Sequence, residues 1–548
     1  MNGAATILQV EDVSVSFGAN APRVLDGVSL QLAAGKVLAI VGESGSGKTL
    51  LARSIIGLLP PGAMVRSGRI ELLGQDLTGL PGAAMRKLRG DQVSMIFQEP
   101  QVSLNPVVRI GRQLTEAAIE RRVLTPDAAR RRALDLLERV KIPDPADVMK
   151  RYPHELSGGM CQRVMIAAAL MLEPALLIAD EPTTALDCAV QRDVLEVMLE
   201  AARREDTAVL LISHDLGLVA GHADDVLVLK AGSLVEKRAA RDILASPAAD
   251  YTRELLEAAT VARPASPRDV GSNPVCTVDG VTIDYPVRRD WPWQEQRFHR
   301  AVDNVSLDIR RGETVAVVGE SGSGKTTLGM AILGLVAPTG GTIMVDGEPV
   351  STDPRRTRRF TQLVFQNPYA ALSPRKTVRE SVAEPLLVDR SADAVSVAAR
   401  TRAMLDDVGL PAALDDRRPH ELSGGQRQRV SIARALITQP GLVIADEPVS
   451  ALDVTIQAQI LGLFARLQAS HGFACLFVTH DLGVVEAVAD RVVVLKQGRV
   501  VESGDTQAVF ANPRHAYTRE LLTAMPVLQP DTGSGFHIVN RHFGGVSP

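Results

Sequence analysis

The chain has little cysteine, few aromatics and no long apolar run. Its four cysteines, Cys161, Cys188, Cys276 and Cys475, are too far apart in sequence for a C-x-x-C hook, so neither zinc nor disulfides are expected. The longest nearly unbroken apolar stretch, Val164 to Leu172, covers nine residues, about half of what a membrane-spanning helix requires. The amino terminus, MNGAATILQVED, lacks the basic flank and apolar stretch of a secretion signal, which predicts a cytoplasmic protein. Sixty basic against 64 acidic residues leave a formal charge of −4, the wrong sign for a protein whose main partner is nucleic acid. Fifty of the 60 are arginine, a skew that reflects genome composition more than binding. What remains is globular in balance, 45% apolar and 23% charged in 548 residues, a length that implies about two to four domains.

The sequence repeats itself. GESGSGKT at 42–49 returns at 319–326, 277 residues later, whereas LSGG, ADEP, SHDLG (as THDLG) and YTRELL each return after 266. A constant offset over about a hundred residues means two copies of one domain, with the length differences confined to the region between GKT and LSGG. The Pro-, Ser- and Gly-rich RPASPRDVGSNP marks the join. This predicts a first domain at 1–262, a linker at 263–274, a second domain at 275–525 and a loosely ordered tail at 526–548. In both copies a β-rich stretch runs through the glycine loop into a helical pattern. ALLIADEP and GLVIADEP read as buried strands ending in carboxylates, and VLLISHD and CLFVTHD as strands ending in histidine. Polar groups at the carboxyl ends of strands separated by helices predict an α/β core with its site along one edge of a parallel sheet. Segments such as PDAARRRALDLLERV predict a helical insert in each copy, at about 99–155 and 367–421.

Two loops carry the pattern G-x-x-x-x-G-K-T: Gly42, Glu43, Ser44, Gly45, Ser46, Gly47, Lys48 and Thr49, and Gly319, Glu320, Ser321, Gly322, Ser323, Gly324, Lys325 and Thr326. Glycines let backbone N–H groups curl around phosphate oxygens, and the following helix presents its positive end to the same charge. A glycine turn that merely joins strand to helix would explain one match, not two in the same context. Lys48 and Lys325 are expected to reach the β and γ phosphates, and Thr49 and Thr326 to ligate magnesium with Asp180 and Asp446. Glu181 and Glu447 are placed to polarise the attacking water, and His214 and His480 to sense the γ phosphate. Ser157, Gly158 and Gly159, like Ser423, Gly424 and Gly425, precede a helix and form a second anion site. Gln98 and Gln366 stand between core and insert, where they could touch magnesium or water.

At these residues the chain resembles the ATP-binding cassette family, twice and over nearly its whole length. GESGSGKT is similar to the Walker A motif, LSGGQRQR to the signature, ALLIADEP and GLVIADEP to Walker B, and ALD at 185–187 and 451–453 to the D-loop; the glutamines and histidines match the Q-loop and switch. The resemblance implies tandem P-loop NTPase domains, each a RecA-like core of mainly parallel sheet with an antiparallel β subdomain and a helical subdomain. It further implies two ATP molecules, each held by one phosphate loop and the other copy's signature, Ser423 with its Gln426 facing 42–49 and Ser157 facing 319–326. Phe17 and Tyr285 match the aromatic that stacks on adenine, though either could be core. Met160 stands where the family commonly has glutamine; both sites are nevertheless expected to hydrolyse ATP, with modest asymmetry.

QEPQVSLNP, QNPYAALSP, RYPHELSGG, RRPHELSGG and NPRHAYTRELL look like the oligopeptide and dipeptide permease branch. That resemblance implies peptide uptake through two separate transmembrane permease subunits fed by an extracytoplasmic solute-binding protein, with this chain peripheral on the cytoplasmic face of a bacterial inner membrane. Some members bind an iron–sulfur cluster through a cysteine-rich end, but residues 526–548 hold no cysteine and no cluster is expected. A soluble twin-cassette ATPase acting on the ribosome is the rival reading; its long charged linker is missing here, and a DNA-repair cassette would need zinc-spaced cysteines. Residues 286–300, with both tryptophans, have no counterpart in the first copy and read either as a surface loop packing its own rings or as a permease or regulatory contact.

Overall fold

The computed structural model describes residues 5–18, 20–98, 103–183, 188–260, 271, 273–287, 296–350, 354–389, 393–450, 452–524, 527–531, 535–539 and 541. The linker at 263–274 lies almost wholly outside the described residues, as do 185–187 and 451 of the two ALD motifs and 288–295 of the tryptophan-bearing insertion. The chain forms two compact units, Met1–Thr260 with Ala524–Asn540, and Val261–Thr523 with Arg541–Pro548.

In the first unit a six-stranded sheet runs in the order Ser233–Ala239, Asp225–Lys230, Val37–Val41, Ala208–Ile212, Leu176–Asp180, Val93–Ile96, all neighbours parallel except the first pair. Val37–Val41, Leu176–Asp180 and Ala208–Ile212 are buried at every position, which is why they read as unbroken apolar runs. Successive side chains take opposite faces. Leu38, Ile40, Ile178 and Leu210 join a core with the antiparallel sheet of Thr6–Phe17, Arg23–Ala33, Ala63–Leu72 and Gln75–Asp76. Ala39, Val41, Leu177 and Leu211 join the other core, shared with the helical insert. That insert holds the helices Ile110–Glu120 and Pro126–Arg139, both packed on Gly158–Leu170, and Pro145–Val148, which packs on Pro126–Arg139. Pro126–Arg139 begins where Thr125 accepts the Ala128 N–H at 3.4 Å and proline takes the first turn.

The second unit repeats this plan, with sheet order Thr361–Val364, Leu442–Asp446, Ala474–Val478, Thr314–Val318, Arg491–Lys496, Arg499–Asp505, and insert helices Val378–Asp389 and Ala394–Asp407. Its antiparallel sheet pairs Pro274–Pro286 with Phe298–Arg310, so the tryptophan-bearing insertion connects two paired strands; Tyr285 stands opposite His299. Cys161, Cys276 and Cys475 are buried and form no disulfide among the described residues, and burial pushes the Cys276 thiol up to about 12.

One expectation is corrected. The segment read as a loose tail contains a two-stranded hairpin, Val527–Pro530 with Phe536–Val539, that belongs to the first unit. Leu528 and Phe536 are buried in the same core as Ile243 and Leu244 of the helix Ala240–Ala245. Gly, Pro and Ser content hid two four-residue strands whose buried residues, Leu528 and Phe536, pack against a distant part of the sequence. Among the described residues no helix is long and apolar enough to cross a membrane.

Candidate functional site

The phosphate loops leave the sheet at the carboxyl ends of Val37–Val41 and Thr314–Val318. Glycine is obligatory at the first position: Gly42 has φ 151°, and a Cβ there would sit 2.2 Å from the Leu229 carbonyl oxygen; Gly319 has φ 150°, with 2.1 Å to Leu495 O. The helices Lys48–Ile55 and Lys325–Ile332 follow directly. Lys48 Nζ donates to the carbonyls of Gly42 (2.7 Å) and Glu43 (2.9 Å), and Lys325 Nζ to those of Gly319 (2.7 Å) and Glu320 (2.8 Å). Both ammonium groups are thus held inside their own loops.

The aspartates at the strand tips meet the loops. Thr49 Oγ1 donates to Asp180 Oδ1 at 3.0 Å, and Thr326 Oγ1 to Asp446 Oδ1 at 3.0 Å. Burial pushes both aspartates up, with the adjacent glutamate adding to the shift and the threonine bond opposing it. Glu181 and Glu447 take φ of 47° and 45°, a left-handed conformation that costs a non-glycine residue roughly 1 kcal/mol. Their N–H groups are bonded to Ile212 O (3.0 Å) and Val478 O (2.8 Å), which fixes the turn at the strand tip.

Around each glutamate the structure gathers the predicted glutamine and histidine. Gln98 Nε2 donates to Glu181 at 2.7 Å, and Gln366 Nε2 to Glu447 at 2.7 Å. His480 Nδ1 lies 3.0 Å from Glu447 Oε1, whereas His214 Nδ1 lies 3.6 Å from Glu181 Oε1. Burial raises Glu447, but the His480 bond and charge, with Lys325, outweigh it and hold the carboxyl below its ordinary range. Burial likewise opposes the charged form of His214, and Glu181 outweighs it, holding the imidazole above its ordinary range.

The signature serines cap helices. Ser157 Oγ accepts the Met160 N–H at 3.3 Å, starting Gly158–Leu170; Ser423 Oγ accepts the Gln426 N–H at 3.3 Å, starting Gly424–Leu436. Gln426 returns the bond, its Oε1 accepting the Ser423 N–H at 3.0 Å. Met160 has no such acceptor. Phe17 is 47% exposed and Tyr285 39%, so neither is a core residue.

The residues fit a magnesium nucleotide. Ser46 Oγ and Ser323 Oγ are buried in the loops without a hydrogen-bond partner, where a phosphate oxygen would supply one. A hydroxyl beside a carboxylate is a hard-oxygen donor set of the kind magnesium takes together with phosphates and water. Among the described residues no cluster of three or more His, Cys, Asp or Glu side chains could hold a metal unaided.

Sequence reasoning missed Tyr251 and Tyr517. Their phenol oxygens accept the N–H of Glu43 (3.3 Å) and Glu320 (3.0 Å), the second residue of each phosphate loop. The signal was available in YTRELL, repeated at the 266-residue offset, which served only as a family mark.

The ABC transporter family model matches residues 25–184 and again 302–450, and the model for the C-terminal region of oligopeptide/dipeptide transporters matches 501–541. The peptidoglycan transport ATP-binding protein YejF of Agrobacterium fabrum is 45% identical over 94% of this chain and 96% of its own length. The glutathione import ATP-binding protein GsiA of Escherichia coli K12 is 41% identical over 96% of this chain and 90% of its own. A solved structure, cbiO1 from Clostridium perfringens, part of the ABC transporter complex cbiONQ, is 28% identical and covers 44% of this chain and 92% of that one, at a TM-score of 0.39. With two phosphate loops, two acidic strand tips and two family matches in one polypeptide, the chain belongs to the ABC transporter family and is an ATPase coupled to transport.

Proposed function

We propose that this chain is the ATP-hydrolysing subunit of an importer for peptides or peptide-like solutes such as dipeptides, oligopeptides or glutathione. The match of 501–541 to the oligopeptide/dipeptide transporter region carries this reading, supported by full-length relatives named for glutathione import and peptidoglycan transport. Two transmembrane permease subunits, gripped by the helical inserts, form the path, and an extracytoplasmic solute-binding protein supplies the cargo. The chain works as a peripheral protein at the cytoplasmic face of the inner membrane.

At each site ATP and water give ADP and phosphate. Lys48 and Lys325 supply positive charge to the β and γ phosphates, and the loop N–H groups orient them. Phe17 and Tyr285 stack on adenine. Thr49 with Asp180, and Thr326 with Asp446, hold magnesium, joined by Gln98 and Gln366; the bound ion neutralises charge on the phosphates. Glu181 and Glu447 take the proton of the attacking water, and His214 and His480 keep that water and the γ phosphate in place. Ser423, Gly424, Gly425 and Gln426, like Ser157, Gly158 and Gly159, supply helix N-termini to the γ phosphate. ATP binding closes the cassettes and hydrolysis releases them, a cycle the glutamines pass to the inserts.

Affinity purification of the tagged chain from detergent-solubilised membranes tests this. Two integral membrane proteins and ATP-dependent uptake of a labelled peptide on reconstitution are expected. Sedimentation with ribosomes and no membrane partner would support the translation-factor alternative, which no observation here favours.

A further inference from the structure

We infer that Tyr251 and Tyr517 are positioning residues for ATP hydrolysis, through which the C-terminal segment of each domain fixes the start of its own phosphate loop. The inference rests on the nucleotide reading of the two loops. In each loop one residue is held at both its amide and its carbonyl. Glu43 gives its N–H to Tyr251 at 3.3 Å while its carbonyl receives Lys48 Nζ at 2.9 Å; Glu320 gives its N–H to Tyr517 at 3.0 Å while its carbonyl receives Lys325 Nζ at 2.8 Å. The residue that carries positive charge to phosphate and the tyrosine therefore grip the same loop residue.

The tyrosines are themselves braced. Tyr251 is 7% and Tyr517 2% exposed. Lys230 Nζ lies 4.1 Å from the Tyr251 ring centroid and Lys496 Nζ 4.2 Å from that of Tyr517, a cation–π contact that fixes the ring plane. Each lysine ends a strand parallel to the one that enters the loop, and the turn just beyond donates to the loop again, Gly232 N–H to Ser46 O at 3.0 Å and Gly498 N–H to Ser323 O at 3.1 Å. Behind each tyrosine a carboxylate fixes the chain: Glu236 accepts the Ala248 and Ala249 N–H groups (3.0 and 3.1 Å), and Glu502 those of Arg514 and His515 (2.7 and 3.0 Å). Of the ten lysines in the chain, four fill these two repeated positions, 48/325 and 230/496.

A phosphate loop binds best when its peptides are oriented before the ligand arrives, because ordering them afterwards costs affinity. A buried phenol oxygen on the Glu43 or Glu320 amide supplies that orientation. Ligand affinity, rather than the chemical step, is then the quantity that depends on the hydroxyl.

Steady-state ATPase kinetics of the full chain carrying Tyr251→Phe with Tyr517→Phe test this, since phenylalanine keeps the ring under the lysine and removes only the acceptor. The expected result is a KM for Mg-ATP raised about five- to tenfold with kcat changed by less than about twofold. An unchanged KM overturns the inference, and a lower melting temperature with unchanged KM assigns the hydroxyls a purely structural role. Lys48→Ala with Lys325→Ala, tested by titration with a fluorescent ATP analogue, separates the two levels. Retained binding there defeats the nucleotide reading itself, whereas lost binding beside an unchanged KM for the tyrosine variant defeats this inference alone.

Discussion

In the second unit Glu447 stands 2.7 Å from Gln366 and 3.0 Å from His480, whereas in the first the same glutamate keeps its glutamine at 2.7 Å but has its histidine at 3.6 Å. The signature helices differ in the same direction. Ser423 and Gln426 exchange hydrogen bonds, but Met160 cannot return the one it gives to Ser157. The lysine and tyrosine bonds of the loops are repeated to within a few tenths of an ångström. The two copies therefore keep these loop bonds alike, and they differ at the glutamate–histidine pair proposed to hold water and the γ phosphate and where the helix cap is closed.

Four perturbations sharpen or break that comparison. The largest is removal of the proposed base: Glu181→Gln with Glu447→Gln is expected to cut ATP turnover by roughly 10² to 10⁴ while nucleotide binding survives, and unchanged steady-state hydrolysis would remove these residues from the mechanism. Next comes Phe536→Ala, which empties a buried position in the first unit's core; a loss of about 3 kcal/mol is expected by urea unfolding, and the unfolding signal of the first unit, not the second, should move. A smaller effect distinguishes the caps. Met160→Gln restores an acceptor for the Ser157 N–H and is expected to add about 0.5 kcal/mol, with Gln426→Met losing a similar amount; equal shifts of one sign in both variants would show that the cap is not what differs.

The smallest effect is a pH dependence on which the two units should agree. Burial pushes Glu236 and Glu502 up, but backbone N–H groups, with Thr252 and Thr518, outweigh it and hold both carboxylates below the ordinary glutamate range. A depressed folded-state value contributes stability that is present above the unfolded value of about 4.3 and is lost as pH falls through the folded one. Glu236→Gln with Glu502→Gln should lower the urea midpoint at pH 7 and flatten its decline in acid; a decline as steep as in the parent protein would place the acid-sensitive groups elsewhere.

Much of this site was legible because its pieces are local. The strand, glycine loop and helix at 37–55 and 314–332 lie in one stretch each, and an unbroken run such as LLIAD announces a strand buried on both faces. Positions set by non-local geometry were not legible. The left-handed turn at Glu181 and Glu447 depends on where the neighbouring strand ends, and Tyr251 meets Glu43 across 208 residues. The four residues of Val527–Pro530 signal little by themselves, because the surface that buries Leu528 comes from a helix nearly three hundred positions earlier. The difference between Met160 and Gln426 was visible as a letter, but its consequence needed the cap geometry.

Counting bound nucleotides tests the account at its centre. Isothermal titration of Mg-ATP into the chain carrying Glu181→Gln and Glu447→Gln should give two sites per polypeptide, one after adding either Lys48→Ala or Lys325→Ala, and none after adding both. A single site in the starting protein, or a count indifferent to Lys325→Ala, would contradict the claim that both copies are working nucleotide sites.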